Sequence, residues 1–140
     1  MCTIKMNEVN MKIGFDFHGV LDLDDSHFRD MAKLAVGIGH EVHVLTGSSW
    51  EKFIVESHGL LVEGVHYTHF FSVCDYLIEK GMENRGNLDR PMFDTDVWNA
   101  AKGEYAFYTA LDKHYDDCEI YSTNFPKTCE FILIKDGEVV

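Results

Sequence analysis

The chain has no apolar run approaching the roughly 20 residues needed to cross a bilayer. Its start, Met1-Cys2-Thr3-Ile4-Lys5-Met6-Asn7-Glu8, lacks the uninterrupted apolar region of a secretory signal. Both absences point to a soluble, cytoplasmic protein. Cysteine is scarce and scattered: Cys2, Cys74, Cys118 and Cys129 stand singly with no CxxC pair. That excludes zinc-ribbon and dithiol redox patterns and predicts free, mostly buried thiols. Cations are the other shortage, 12 Lys and Arg against 24 Asp and Glu, for a formal net charge of −12. Such a surface repels phosphate backbones, and no basic run compensates, so stable nucleic-acid binding is not expected. A small phosphorylated ligand remains compatible if a divalent cation bridges it to carboxylates. There is no internal repeat, low-complexity tract or domain linker, and 140 residues suit one domain spanning 1–140.

What is present is an alternation of strand and helix signals. Residues 1–10 read as either a polar leader or an extra edge strand. A first strand is predicted at about Lys12 to Phe17, running into Asp16 and a glycine-containing turn. Ser26 can cap a helix from His27 to Gly37, with Phe28, Met31, Ala32, Leu34 and Ala35 at helical spacings. Glu41 to Leu45 reads as the second strand, closing on Thr46-Gly47. Strand, helix and strand so close in sequence indicate a right-handed crossover in a parallel sheet.

Ser48 or Ser49 can cap a second helix to about Glu56, and a third strand is predicted around His69 to Val73. A short helix from Asp75 to Lys80 follows. The polar, Gly- and Pro-containing stretch at about 82–94 reads as a small insert, a turn or hairpin rather than a core element. Thr95 or Asp96 can cap a longer helix to about Leu111, with Val97, Trp98, Ala101, Tyr105 and Tyr108 along a core-facing side. Lys113 to Cys118 is too short to classify by periodicity, and Cys129 to Ile134 is the last strand. The order predicts an α/β fold, a three-layer α/β/α sandwich around a central parallel sheet of Rossmann-like type.

In such a sheet, ligands bind outside the carboxyl ends of the strands. Asp16, Thr46 and the Asp116-Asp117 pair all fall near such ends, so positions a hundred residues apart can converge. Grouped carboxylates make a hard oxygen site suited to Mg²⁺. Lys102 is the best-placed lysine to balance their charge and touch a phosphate, with Lys80 and Lys113 as rivals. Asp22, Asp24 and Asp25 lack calcium-loop spacing and read as a solvated, helix-capping loop. The pairs His40/His43 and His66/His69 have no accompanying Cys or Glu in a recognised zinc arrangement, and read as ordinary histidines.

Asp16-Phe17-His18-Gly19-Val20-Leu21 resembles the first motif of the haloacid dehalogenase-like (HAD) superfamily of phosphohydrolases, an apolar strand followed by Asp-x-Asp-Gly-Thr/Val-Leu/Val. Val44-Leu45-Thr46-Gly47 resembles its second motif, Lys102 its third and Tyr115-Asp116-Asp117 its fourth, in order over residues 11–135. The resemblance implies a magnesium-dependent phosphatase acting on a small soluble phosphate monoester. Asp16 would be the nucleophile that becomes an aspartyl phosphate, and Thr46 and Lys102 would hold the phosphoryl oxygens. Mg²⁺ would be bound by Asp16, the main-chain carbonyl of His18, Asp116 and Asp117, the last directly or through water. There is no room for a large cap, which implies a fairly open site or one closed by a partner subunit.

The chain departs from the motif at His18, where most family phosphatases carry a second aspartate for acid/base work. Imidazole can give and accept a proton near neutrality. Two outcomes stand open: His18 as a working substitute, or a catalytically impaired module that binds a metal, a phosphate ligand or a protein partner.

Overall fold

The structure, a computed structural model, describes residues 10–140; the choice between leader and edge strand at the amino terminus lies outside the described residues. It is an α/β fold with a six-stranded, mostly parallel sheet. The strands are β1 (Lys12–Asp16), β2 (Glu41–Thr46), β3 (His69–Ser72), β4 (Lys113–Asp116), β5 (Glu130–Lys135) and β6 (Glu138–Val139). The helices are α1 (His27–Gly37), α2 (Trp50–Glu56), α3 (Val73–Glu79) and α4 (Thr95–Thr109). Sheet order is β3-β2-β1-β4-β5-β6, parallel throughout except the final β5/β6 pair. Among the described residues no helix is long and apolar enough to cross a membrane.

Alternation along the strands sorts side chains onto two faces. Ile13 and Phe15 of β1, Val42 and Val44 of β2 and Tyr115 of β4 join one apolar cluster with Phe28 of α1 and Phe53 of α2. Leu45 and Phe71 join a second cluster with Leu77 of α3 and Ala101 and Ala106 of α4. Phe15, Phe17, Phe28 and Phe53 are fully buried, each stabilising the fold by about 1.5–3 kcal/mol.

The helix starts differ in detail from the residues expected to cap them. α2 is capped as expected, Ser49 Oγ accepting the Lys52 N–H. Ser26 occupies the cap position of α1, yet its hydroxyl donates to Asp30, and Asp25 accepts the His27 N–H instead. α3 begins directly at the end of β3, where Ser72 Oγ accepts from Asp75 N–H, two residues earlier than its composition indicates. α4 is capped by Asp94, which accepts from Val97 N–H, rather than by Thr95 or Asp96.

Of the aromatic side of α4, Trp98 and Tyr105 are partly buried, but Tyr108 lies in solvent. Fifteen helical residues span about 22 Å, whereas four- to six-residue strands reach only about 13–20 Å, so the last turn outruns the sheet. The stretch from 82 to 94 forms a loop without a strand. Its arms are joined by Arg85 N–H to Met92 C=O and Asn87 N–H to Arg90 C=O, and Asn84 and Asn87 side chains accept from its backbone. Lys113–Asp116, unclassifiable from periodicity, is strand β4. The antiparallel β6, not foreseen, follows the left-handed turn at Asp136 and Gly137.

Candidate functional site

After β1 the chain adds β2 and β3 on one side of it, then returns to place β4 and β5 on the other. The order therefore reverses between β1 and β4, and the crevice at their carboxyl ends is the place where open α/β sheets bind ligands. Asp16 ends β1, Thr46 ends β2 and Asp116 ends β4. All three are buried at the floor of a cavity of about 300 Å³, which Asp16 and Thr46 line.

Lys102 joins them from α4. Its Nζ donates to Asp16 Oδ1 at 3.1 Å and to Asp116 Oδ2 at 2.8 Å, and the residue is only 3% exposed. The rivals are elsewhere: Lys80 pairs with Glu104 on the surface, and Lys113 lies over the Tyr115 ring. Asp117, exposed, completes a set in which Asp16, Asp116 and Asp117 offer carboxylate oxygens within 4.8 Å of one another, close enough to hold one cation.

Burial dominates the electrostatics. It pushes Asp16 well above the ordinary carboxylate range; the Lys102 ammonium opposes this, and the Asp116 charge adds to it. Burial pushes Asp116 up as well, but there Lys102 and a hydrogen bond from His114 outweigh it and hold the carboxyl well below its usual value. Lys102 is raised, since two carboxylates more than offset the cost of burying its charge. The floor thus sets the Lys102 ammonium between the charged Asp116 carboxylate and an Asp16 carboxyl whose charge burial disfavours, so a further cation beside Asp16 would favour its ionised form.

His18 sits in extended backbone, φ −72° and ψ 126°, on the turn Phe17–Leu21 that follows β1, closed by Asp22 N–H to the Phe17 carbonyl. The turn depends on Gly19, whose φ of +86° is left-handed and whose missing Cβ leaves room for the Asp117 carboxylate. The His18 imidazole is exposed and spans two carboxylates, Nδ1 at 2.8 Å from Asp22 Oδ2 and Nε2 at 3.1 Å from Glu56 Oε1. Asp22 also accepts the Gly19 N–H, so one residue braces both the turn and the ring.

The cavity walls come from further along the chain. Lys52 of α2, Leu88 and Pro91 of the 82–94 loop, Trp98 of α4 and Tyr121 line it. Lys52 Nζ donates to the Asp89 carbonyl and ties the loop to α2, while Trp98 Nε1 donates to Tyr121 Oη. Gly47 is required beneath this wall, because a Cβ there would stand 2.8 Å from the Trp98 ring.

Several of these residues escaped the sequence reading. His114 is fully buried behind Asp116, and its Nε2–H donates to Asp116 Oδ2 at 2.8 Å; its position two residues before Asp116 on a strand was the available signal. Its Nδ1 lies beside Gly14 with no side-chain hydrogen-bond partner among the described residues, and burial pushes the ring's pKa down, an environment that suits the neutral Nε2–H tautomer. Asp22 is four residues from His18, but nothing in the sequence links Glu56 or Tyr121 to the site. No model of a known protein family matches the chain, and no curated protein matches it.

Proposed function

We propose that the protein is a magnesium-dependent phosphatase of HAD-like type that hydrolyses a small phosphate monoester through an aspartyl phosphate on Asp16, its sheet forming the middle of a three-layer α/β/α sandwich. The observation that carries this reading is the buried bridge from Lys102 to both Asp16 and Asp116 at the point where strand order reverses. Folding alone has no need of this buried ionic trio, since a well-packed hydrophobic trio would serve it as well.

The donor set fits the ion. Asp16, Asp116 and Asp117 supply only hard oxygens, three carboxylates against one ammonium, with the His18 main-chain carbonyl as a further candidate. When bound, Mg²⁺ supplies charge neutralisation at the phosphoryl group. The chain's own groups do the rest. The Asp16 carboxylate attacks phosphorus and the ester oxygen departs. Thr46 and Lys102 hold the phosphoryl oxygens, and Lys102 screens Asp16 from Asp116. His18 gives a proton to the leaving oxygen and takes one back from the water that then cleaves the acyl phosphate and frees Asp16. The cavity walls, Leu88, Trp98 and Tyr121 with Lys52 at the side, suit a leaving group of small-metabolite size with an apolar or aromatic portion.

One observation favours a second reading in which hydrolysis is impaired. Both imidazole nitrogens of His18 lie within hydrogen-bond distance of carboxylate oxygens, those of Asp22 and Glu56. The ring gives a proton to the leaving group or takes one from water only by breaking one of these bonds. The aspartyl phosphate would then persist.

The test is Mg²⁺-dependent phosphate release from a panel of aryl and metabolite phosphates between pH 5 and 8, with Asp16→Asn as control. Release above the control supports the phosphatase. No release above it from any substrate sinks that reading. In the active case, acid-quenched labelling of Asp16 that disappears in His18→Asp, together with faster turnover, identifies dephosphorylation as the impaired step.

A further inference from the structure

At the other end of the same strands lies a second cluster of metal-binding side chains. Glu41 opens β2, His43 follows two residues later on the same face, and His69 opens β3 directly across from His43 in the parallel register. Strand periodicity brings these three together: i and i+2 on one strand share a face with their cross-strand partner. His43 Nε2 lies 2.9 Å from Glu41 Oε1, and His69 Nδ1 lies 4.0 Å from the same oxygen. The two imidazole rings are stacked, 6° apart in plane with centroids 4.3 Å apart, so their in-plane lone pairs run side by side, and the exposed His69 ring has to turn out of the stack to share one ion with the buried His43. One ligand atom from each residue falls within 4.8 Å of the others.

We infer that Glu41, His43 and His69 form a binding site for a borderline divalent ion of the Zn²⁺ type, separate from the carboxylate crevice. Two imidazole nitrogens and one carboxylate oxygen are a donor set for zinc or its neighbours rather than for Mg²⁺. The surroundings are arranged as ligand-supporting groups. His43 is buried, and its Nδ1 lies 2.7 Å from Tyr105 Oη. In the metal-free state Nε2–H donates to Glu41 and the Tyr105 hydroxyl donates to Nδ1. Metal binding at Nε2 moves that single proton to Nδ1, which then donates to Tyr105 Oη, so both nitrogens of the buried ring stay paired and no net proton is released.

His69 Nδ1 is 2.8 Å from Thr68 Oγ1, but that hydroxyl also accepts from Val42 N–H and donates to Val42 C=O. Releasing the ring therefore orphans nothing. Lys12 pairs in register with Glu41 yet donates its Nζ to the Thr109 carbonyl. The Glu41 and His69 side chains are 40% and 48% exposed, which gives the ion a path in and leaves positions for water.

The two sites are about 16 Å apart along β2, five residues at roughly 3.3 Å each. The ion's role is to fasten β3, at the sheet margin, to β2 and through Tyr105 to α4. The test is titration of the whole protein with Co²⁺ in excess Mg²⁺, which occupies oxygen-only sites, followed by visible absorption and thermal melting. One equivalent of Co²⁺ with intense visible bands and a raised Tm is expected. His69→Ala, at an exposed position, should lose both responses, and Tyr105→Phe should weaken binding about tenfold or more while keeping the ring's packing. Absence of the bands in the wild type, or their survival in His69→Ala, overturns the inference. Phosphatase assays do not enter this test, so it stands or falls independently of the crevice.

Discussion

Lys102 Nζ lies 2.8 Å from Asp116 Oδ2, the one brought by α4 and the other by the end of β4, both almost wholly buried. This pair, extended to Asp16, makes the lysine a structural as well as a chemical part of the crevice. Lys102→Met leaves two buried carboxylates facing each other without a counterion. The expected cost is about 3–5 kcal/mol, from the removal of one member of a buried pair. Urea denaturation measures it, and phosphate release in the same variant should fall to the Asp16→Asn level. A variant as stable as wild type would show that the bridge contributes little to folding.

Gly19→Ala should damage the crevice from its rim. Its φ of +86° costs an alanine about 1–2 kcal/mol, and the new Cβ collides with the Asp117 carboxylate. Weaker Mg²⁺ binding is expected, read by calorimetric titration, together with a modest loss of stability. Unchanged Mg²⁺ affinity would remove Asp117 from the ligand set.

Ala110 ends α4 in the left-handed conformation, φ 56° and ψ 48°, on an exposed surface far from the strand ends. Glycine takes this position without the Cβ clash. Ala110→Gly should therefore stabilise the protein by about 1 kcal/mol, seen as a higher urea midpoint with unchanged slope. A lower midpoint would show that the unfolded-chain entropy of glycine wins here.

Burial, with Asp112 and Glu130 nearby, pushes the Cys129 thiol up to about 12. An unfolded thiol titrates near 8.5, roughly. The unfolded chain therefore loses this proton first, and the stabilisation present below about pH 8.5 is lost as pH rises through the folded value. Cys74 and Cys118 are raised as well and act in the same direction. Urea midpoints should decline from pH 7.5 to 9.5, and the decline should be shallower in Cys129→Ala. Equal slopes in the two proteins would contradict the assignment.

The chain's own pattern was enough for the alternation of strands and helices, because periodicities of two and 3.6 are written in local order. α1 begins and ends where Ser26, Gly37 and the spacing of Phe28, Ala32 and Ala35 put it. Asp16 and Thr46 sit at strand ends that local pattern shows, whereas Asp116 follows a stretch too short for periodicity to classify and Lys102 was one of three candidate lysines until α4 placed it. Caps were harder: Asp94 and Ser72 compete with neighbouring polar residues, and the local string holds no rule for which side chain reaches the free amide.

The opening stretch, from Lys12 to Leu21, determines by itself a strand that delivers a carboxylate and a glycine turn that lets another approach. Only the tertiary structure decided what surrounds it. His114 behind Asp116, Asp22 and Glu56 on His18, the 82–94 loop beside Trp98, and Glu41 with His43 and His69 are all contacts between elements. Their residue types were visible, but their meeting depends on strand order and parallel register. Those arise from how whole apolar faces are buried together, a non-local balance that no short window of sequence contains.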